Sequence, residues 1–345
     1  MNIGVVISCY RQERFLPRTL AALERALEGA DWQGVLELAV RSDAPLPPLS
    51  PRWRVVCAFD SKTGQPGRPL TPGGGRMLGF QECGGDWVLF VDSDLEVDAG
   101  WMRAAIETAT REPRLGAIFG RLEEWFVDGT TERPGRIHDM YGTGDRDRAV
   151  DYLAALSFYR RDALEAAGGY DPRLHSDEDF ELGVRFRQLG LEMRSLGRLA
   201  ARHWSAPRPS FGELSRRWRT GICFGQGEVL KLYLGRPGLG TLFLRQRLYV
   251  AALGMWLLGI AALVASASTG DWRLLGGWAL VPLVVITGMS AKKRSLRLGT
   301  LSLATWSLQA AGMVVGFVQF PGGARPLGAM KRGATADPHP RSVAC

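Results

Sequence analysis

The chain is poor in cysteine and in any spacing that would organise it. Cys9, Cys57, Cys83, Cys223 and Cys345 are far apart, odd in number and form no C-x-x-C pair. That argues against a disulfide framework or a zinc site and fits a reducing compartment. The first residues, Met1-Asn2-Ile3-Gly4, lack the basic region, apolar core and cleavage site of a signal peptide. The amino-terminal half is therefore expected to stay in the cytoplasm. No G-x-G-x-x-G fingerprint follows the first apolar run, which speaks against a nicotinamide dehydrogenase. Gly73-Gly74-Gly75 lacks that spacing and reads as loop flexibility. No basic tract marks a nucleic-acid partner, although 43 Lys and Arg against 35 Asp and Glu leave a formal charge of +8. Beside an apolar carboxyl-terminal third, a membrane surface is the better anionic partner for that charge.

What the chain does have is the run Val88-Leu89-Phe90-Val91-Asp92-Ser93-Asp94. Four apolar residues in succession read as a strand buried on both faces, as in a largely parallel sheet. The strand ends in two carboxylates one residue apart. Open α/β sheets bind ligands beyond the carboxyl ends of such strands. Two acids at that edge can hold a hard divalent cation that keeps positions open for substrate phosphates. A solvated acidic turn or a helix N-cap is the ordinary alternative.

Strand and helix patterns alternate around this run, which points to a doubly wound α/β sheet. Ile3 to Ser8 reads as the first strand. Leu16, Leu20, Leu23 and Leu27 then draw one stripe on a helix. Leu36 to Val40, Trp53 to Ala58 and Leu115 to Phe119 are further strands, and Ser61 to Gly75 is a Gly- and Pro-rich loop. A short helix precedes Val88, and Asp98 reads as the N-cap of the helix carrying Trp101, Met102 and Ile106. Asp128 to Arg148 reads as a mobile loop beside the site. One helix begins near Asp162 and stops at Gly168-Gly169; another runs from after Ser176 to near Gly190. Arg194 to Leu199 is the last strand, with His203-Trp204 beyond it.

The carboxyl-terminal third has a different character. Glu213 to Leu234 reads as one amphipathic helix. Leu214, Trp218, Ile222, Val229 and Leu232 lie on one side and Arg216, Arg217 and Arg219 around the other, a pattern suited to the membrane interface. Packing on the sheet is the alternative. Leu248 to Ser268, Leu274 to Ser290 and Leu298 to Phe320 are uncharged stretches near bilayer-spanning length. Arg245, Arg247, Lys292, Lys293, Arg294 and Arg297 then fall on the cytoplasmic side, as the positive-inside tendency prefers. The tail, with Arg325, Lys331 and Arg332, runs against it, so the count is two or three spans, three preferred, with one re-entrant or interfacial as the alternative. The expected organisation is a sheet domain over 1–208, an interfacial segment over 209–240, spans within 241–320 and a flexible tail over 321–345.

A second acidic cluster, His175-Ser176-Asp177-Glu178-Asp179-Phe180-Glu181-Leu182, opens a helix. Ser176 and Asp179 resemble a capping box. Four acids in five positions exceed what capping requires, and one carboxylate there is a candidate general base.

Ile3 to Leu23, with Ser8-Cys9-Tyr10-Arg11-Gln12-Glu13, resembles the opening of family 2 glycosyltransferases. Gly75-Arg76-Met77-Leu78-Gly79 resembles that family's Ala-Arg-Asn-x-Gly stretch, and Asp92-Ser93-Asp94 its Asp-x-Asp metal motif. Gly168-Gly169-Tyr170-Asp171, with Glu178-Asp179-Phe180-Glu181-Leu182 and Arg185, is similar to its Gly-Gly-Phe-Asp and Glu-Asp-x-Asp-Leu-x-x-Arg block. The resemblance spans about Ile3 to His203. It implies a GT-A (Rossmann-like) domain followed by a helical transmembrane region, a nucleotide-diphosphate sugar donor, and inversion at the anomeric carbon. It makes Asp179 the catalytic base, with Glu178 as second candidate. Tyr10, Glu13, Asp43, Arg76 and Asp92 become donor contacts, and Asp92 and Asp94 ligands of Mg²⁺ or Mn²⁺. His203 joins the metal candidates, against the ordinary reading of a packed histidine.

Two departures bear on the nucleotide contacts: Met77 replaces the family's Asn, and Ala39-Val40-Arg41-Ser42-Asp43 copies its acidic turn poorly. Arg217-Trp218 matches part of the Gln-x-x-Arg-Trp of processive synthases, with Leu214 at the Gln position; Arg217 is a donor-contact candidate or a lipid-facing residue. The expectation is single-sugar transfer to a lipid or lipid-linked acceptor at the inner membrane. A processive polysaccharide synthase and a non-catalytic nucleotide-sugar-binding scaffold are the rivals.

Overall fold

A computed structural model describes residues 1–9, 12–38, 46–57, 71–206 and 211–323. They fall into two compact units, one of Met1–Leu174 and Glu178–Pro207, the other of His175–Asp177 and Arg208–Ala324.

In the first unit, β1 (Asn2–Cys9) leads into α1 (Leu16–Ala26), whose Leu16, Leu20 and Leu23 are buried, as the stripe requires. β2 (Asp31–Leu38) and β3 (Trp53–Cys57) follow, β2 starting five residues ahead of the expected Leu36. α2 (Pro72–Glu82) then begins inside the stretch read as a loop. Thr71 explains the early start: its hydroxyl accepts the Gly74 N–H at 3.0 Å and Pro72 stands in the first turn, both helix-starting devices. The part of that loop before Thr71 lies outside the described residues.

β4 (Trp87–Asp92) and the short β5 (Leu95–Val97) precede α3 (Ala99–Arg111), with the Asp98 side chain accepting the Trp101 N–H at 2.8 Å. β6 runs from Ala117 to Asp128, far past Phe119. The stretch expected to be a mobile loop holds β7 (Thr131–Pro134), paired with β6, and β8 (Asp147–Ala149), paired with β10. β9 (Leu156–Arg160), α4 (Arg161–Ala166), α5 (Glu178–Gln188) and β10 (Met193–Ser205) complete the unit. β10 continues through His203 and Trp204 because its outer half pairs with both β5 and β6.

The sheet order is β3-β2-β1-β4-β9-β6-β10-β5. β3, β2, β1 and β4 are parallel neighbours, so their carboxyl ends share one edge. Ser8 stands in register between Glu37 on β2 and Asp92 on β4. Val88 to Val91 are buried as the four-residue apolar run predicted. At about 1.5–3 kcal/mol for each large apolar side chain removed from water, such strands dominate the core's stability.

The second unit opens with α6 (Phe211–Arg219) and α7 (Gly225–Leu232), two helices where one was expected. The break falls at Gly221, whose φ of +76° is incompatible with a continuing right-handed helix. No residue of α6 is buried, whereas α7 is buried almost throughout. The second half of the expected interfacial helix is thus a packed one. α8 (Leu239–Arg245) precedes α9 (Arg247–Thr269), α10 (Arg273–Lys293) and α11 (Leu296–Gln319), three helices long and apolar enough to cross a membrane. α10 buries no residue, so Leu280, Leu283 and Val284 face outward. An uncovered apolar surface of that extent suits lipid better than water.

α2 can lie close on β1 because Gly79 has no side chain: a Cβ there would come within 2.3 Å of the Val6 methyl. Gly79→Leu is expected to destabilise the protein by about 1–3 kcal/mol through overpacking. A fall in thermal midpoint by calorimetry checks this; an unchanged midpoint refutes the close approach.

Candidate active site

The site is assembled where α2, β4 and α5 converge. α2 is latched at its start by the Thr71 hydroxyl, which donates to the Pro172 carbonyl at 2.7 Å. Asp171 in the same turn is buried and held by Arg173 at 2.7 Å. One helical turn along α2 comes Arg76, only 6% exposed. Its Nη1 donates to Glu178 Oε1 at 2.7 Å and to Asp179 Oδ1 at 3.1 Å, while Nη2 donates to Asp92 Oδ1 at 2.9 Å. The Tyr170 ring lies 5.3 Å from the guanidinium carbon. One cation therefore joins both acidic motifs, which stand 87 residues apart in the chain if measured from Asp92 to Asp179 (179 − 92).

Electrostatics follow from that count of one guanidinium to three carboxylates. Burial works against the charge on Arg76, but Asp179, Asp92, Tyr170 and Glu178 together outweigh it and hold the group charged. Burial pushes the Asp179 carboxyl above its ordinary range; Arg76 opposes this, and Glu178 and Asp92 reinforce it. A carboxylate with raised proton affinity is suited to accept a proton near neutral pH. Glu181 and Arg185 of the same motif instead brace α5 internally, pairing at 2.7 Å across one turn.

Asp94, 2% exposed, belongs to a separate set of contacts. Its Oδ2 accepts from Gln12 Nε2 at 2.7 Å and lies 3.4 Å from His203 Nε2. Ser93 Oγ donates to Gln12 Oε1 at 3.1 Å, and Thr19 Oγ1 to the Ser93 carbonyl at 2.8 Å. The Asp-x-Asp turn is thus gripped from α1 and its preceding loop. His203 reaches Asp94 from within β10, since β10 and β5 pair as His203 opposite Leu95. The His203 Nδ1 is buried and has no hydrogen-bond partner among the described residues. The solvated acidic turn is excluded for Asp94 by this burial. The Ser176 hydroxyl donates to the Ile222 carbonyl at 2.8 Å.

The remaining candidates are placed differently. Tyr10 and Asp43 lie outside the described residues. Glu13 sits half-buried in the turn before α1, where its backbone carbonyl accepts the Leu16 N–H at 3.2 Å. Arg217 is in the second unit and donates from Nε to Glu213 Oε1 at 3.1 Å. Arg216 first, together with Arg217, pulls Glu213 down to about 2.

Two residues of the site, Gln12 and Glu37, are not among the candidates drawn from the sequence. Gln12 is a polar residue in a loop until Asp94 and Ser93 fold against it. Glu37 lies in the apolar run of β2, fully buried, with neither carboxyl oxygen hydrogen-bonded among the described residues. It fits beneath α2 because Gly75 has no side chain: a Cβ there would lie 2.5 Å from Glu37 Oε2. An acid within a strand's apolar face is the one clue that composition could have offered.

Taken with the sheet order, this arrangement is that of a GT-A fold with Asp92 and Asp179 joined through Arg76 at the carboxyl edge of the parallel strands. Residues 66–168 match the sequence description of glycosyl transferase family 2. The matched segment lies within the sheet domain, which three apolar helices follow in the chain. A segment of 132 residues is 26% identical to the pre-mycofactocin glycosyltransferase of Mycobacterium tuberculosis, in both strain CDC 1551 / Oshkosh and strain ATCC 25618 / H37Rv. The match covers 36% of this chain and 28% of that protein, so the chain spans little more than a quarter of those relatives. Among solved structures, a mannosyltransferase from Pyrobaculum calidifontis in complex with GDP-Man and Mn²⁺ shares the fold with a TM-score of 0.57 at 15% identity. That similarity covers 92% of this chain and 86% of the other.

Burial pushes the Glu37 carboxyl from 4.5 up to about 8. Between those values the folded chain holds a proton that the unfolded chain releases, so Glu37 lowers stability progressively as pH rises. Glu37→Gln removes this loss. The stability of the variant relative to wild type is expected to grow from pH 5 to pH 8 and then level off, measured by urea unfolding. A difference independent of pH would refute the assignment.

Proposed function

We propose that this chain is a membrane-attached inverting glycosyltransferase. It moves one sugar from a nucleotide-diphosphate donor to a hydroxyl of a lipid or lipid-linked acceptor at the cytoplasmic membrane face. The observation that carries this reading is the Arg76 bridge from Asp92 to Glu178 and Asp179. It brings a donor-side carboxylate and a candidate base to one sheet edge while keeping both charge-compensated. The family signature and the fold support glycosyl transfer from a nucleotide sugar. The three apolar helices support membrane attachment, and a lipid acceptor is the economical choice for an active site carried on membrane helices.

The chemistry assigns one role to each group. Asp179 takes the proton of the acceptor hydroxyl as its oxygen bonds to the anomeric carbon. The bond from that carbon to the diphosphate oxygen breaks on the opposite face, and the nucleoside diphosphate leaves with the electron pair. Attack and departure on opposite faces invert the centre. Glu178, locked to Arg76 at 2.7 Å, keeps the guanidinium in place and is the less suited base. Arg76 opposes the accumulation of negative charge around Asp92 and offers donors toward a diphosphate.

Asp92 and Asp94 would hold Mg²⁺ or Mn²⁺, with His203 adjoining. The fit is chemical: two carboxylates stand one residue apart, and Asp94 Oδ2 lies 3.4 Å from His203 Nε2, whose ring carries a buried Nδ1 without a hydrogen bond among the described residues. Among the described residues no group of three acidic, His or Cys side chains is placed to hold a metal ion. That is compatible with an ion that completes its shell from water and donor phosphates. When bound, such an ion neutralises charge on the leaving diphosphate.

Asp179→Asn is expected to lower turnover by about 10²–10⁴-fold, the usual contribution of a positioned base, with donor affinity retained. Purified protein in lipid would be tested with Mn²⁺ or Mg²⁺ on GDP-mannose and UDP-N-acetylglucosamine, with chelation by EDTA as control. Metal-independent turnover would refute the role of Asp92 and Asp94. Full activity of the variant would refute Asp179 as base.

A further inference from the structure

Beside α1, and wholly within the sheet unit, lies a cavity of about 360 Å³ that the residues of the Arg76 cluster do not line. Its wall is built from regular elements. Arg18, Ala21 and Arg25 recur at helical spacing, so one face of α1 carries two guanidiniums across a small residue. Arg202 and Trp204 alternate along β10 and share one side of that strand. Arg202 stands in register with Glu96 on β5, and Trp204 with Trp125 on β6. Glu132 on β7 completes the rim.

Guanidiniums and indoles interleave there. Arg18 Cζ lies 3.9 Å from the Trp204 ring, Trp204 and Trp125 are 5.3 Å apart, and Arg202 Cζ lies 5.1 Å from the Trp125 ring. Stacking of this kind holds a planar cation in place while its edge N–H groups stay free to donate. Both acids are already engaged. Glu132 accepts from Arg18 Nη2, and Glu96 accepts from Trp204 Nε1 at 3.0 Å, with Arg202 Nη1 3.9 Å away. Donors remain. Arg18 Nη1 and Trp125 Nε1 are buried without a hydrogen bond among the described residues. The exposed Arg25 guanidinium pairs with no acid among them either. Three guanidiniums against two carboxylates leave a surplus of positive charge, and a buried donor without an acceptor is costly.

We propose that this cavity is a binding site for a phosphate group, with Arg18, Arg25 and Arg202 as its cations and the Trp125 N–H as a further donor. Phosphate carries several acceptor oxygens around one centre, which suits donors gathered from α1, β6 and β10. The group belongs either to a soluble phosphate or to a lipid headgroup, and the test tells the two apart. The site adjoins the Asp-x-Asp turn through the backbone, where the Trp204 N–H donates to the Asp94 carbonyl at 2.8 Å. It makes no use of Asp179, so it stands or falls apart from the transfer chemistry.

The test uses the full chain in phosphatidylcholine nanodiscs, with EDTA present so that no metal–phosphate complex contributes. Inorganic phosphate is titrated by calorimetry, and amide hydrogen exchange is followed over α1 and the end of β10. In a second arm the nanodiscs contain phosphatidic acid and no phosphate is added. Phosphate binding with slowed exchange in both segments assigns the site to a soluble phosphate. Slowed exchange with phosphatidic acid alone assigns it to a headgroup. Arg202→Gln is expected to weaken the bound phosphate about tenfold or more, the scale of one charged hydrogen bond, and Arg25→Gln to weaken it several-fold. Glu132→Gln is expected to act in the opposite direction, tightening binding by about two- to fivefold, because it removes a repelling charge.

Silence in both arms would overturn the proposal. So would phosphate binding that Arg25→Gln and Arg202→Gln leave unchanged, since the anion would then sit elsewhere, as at the Arg76 cluster. Should Arg202→Gln fail to fold, Arg25→Gln and Glu132→Gln carry the test, because both side chains are exposed. Their opposite signs are the signature of an anion at this place, and a cavity with a purely structural role would show neither.

Discussion

The candidate site depends on one buried guanidinium. Arg76 faces Asp92, Glu178 and Asp179 with two terminal nitrogens, and each carboxylate would be costly in that position without it. Removing a partner from such a set leaves uncompensated charge, so α2, β4 and α5 are bound to a common geometry. Burial, reinforced by Glu178 and Asp92 and opposed by Arg76, gives Asp179 its raised proton affinity.

Around that cluster, glycine determines how near the elements can come. Gly75 leaves room for Glu37 and Gly79 for Val6, so α2 lies close enough to the sheet for Arg76 to reach the edge. The helical unit uses the same device: a Cβ on Gly227 would collide with the Met313 carbonyl at 1.8 Å, which lets α7 and α11 meet backbone to backbone. Such interfaces of small residues are suited to helices in lipid, where close packing replaces the hydrophobic drive.

Residues near one another in sequence were the most legible. The buried strand Val88–Val91, the Asp98 cap and the Leu stripe of α1 follow from periodicities that local sterics impose, and all three are present. Errors arose where a distant partner decides the outcome. β10 extends through His203 because β5 and β6 offer it hydrogen bonds, and the stretch after Asp128 forms strands because β6 and β10 stand beside it. Helical continuity across Gly221 failed for a local reason, a left-handed backbone that an amphipathic stripe does not record.

The sequence by itself determined the α/β alternation, the two acidic motifs, and three helices of membrane-spanning length, because each is written in spacing and composition over a few turns. Tertiary structure alone decided what those acids do to one another. That Arg76 joins Asp92 to Asp179, that Gln12 grips Asp94, and that Glu228 holds His175 are pairings across 16 to 103 residues of chain. Charge pairing is nearly blind to sequence order; it is fixed by which side chains the packed backbone leaves within hydrogen-bonding reach.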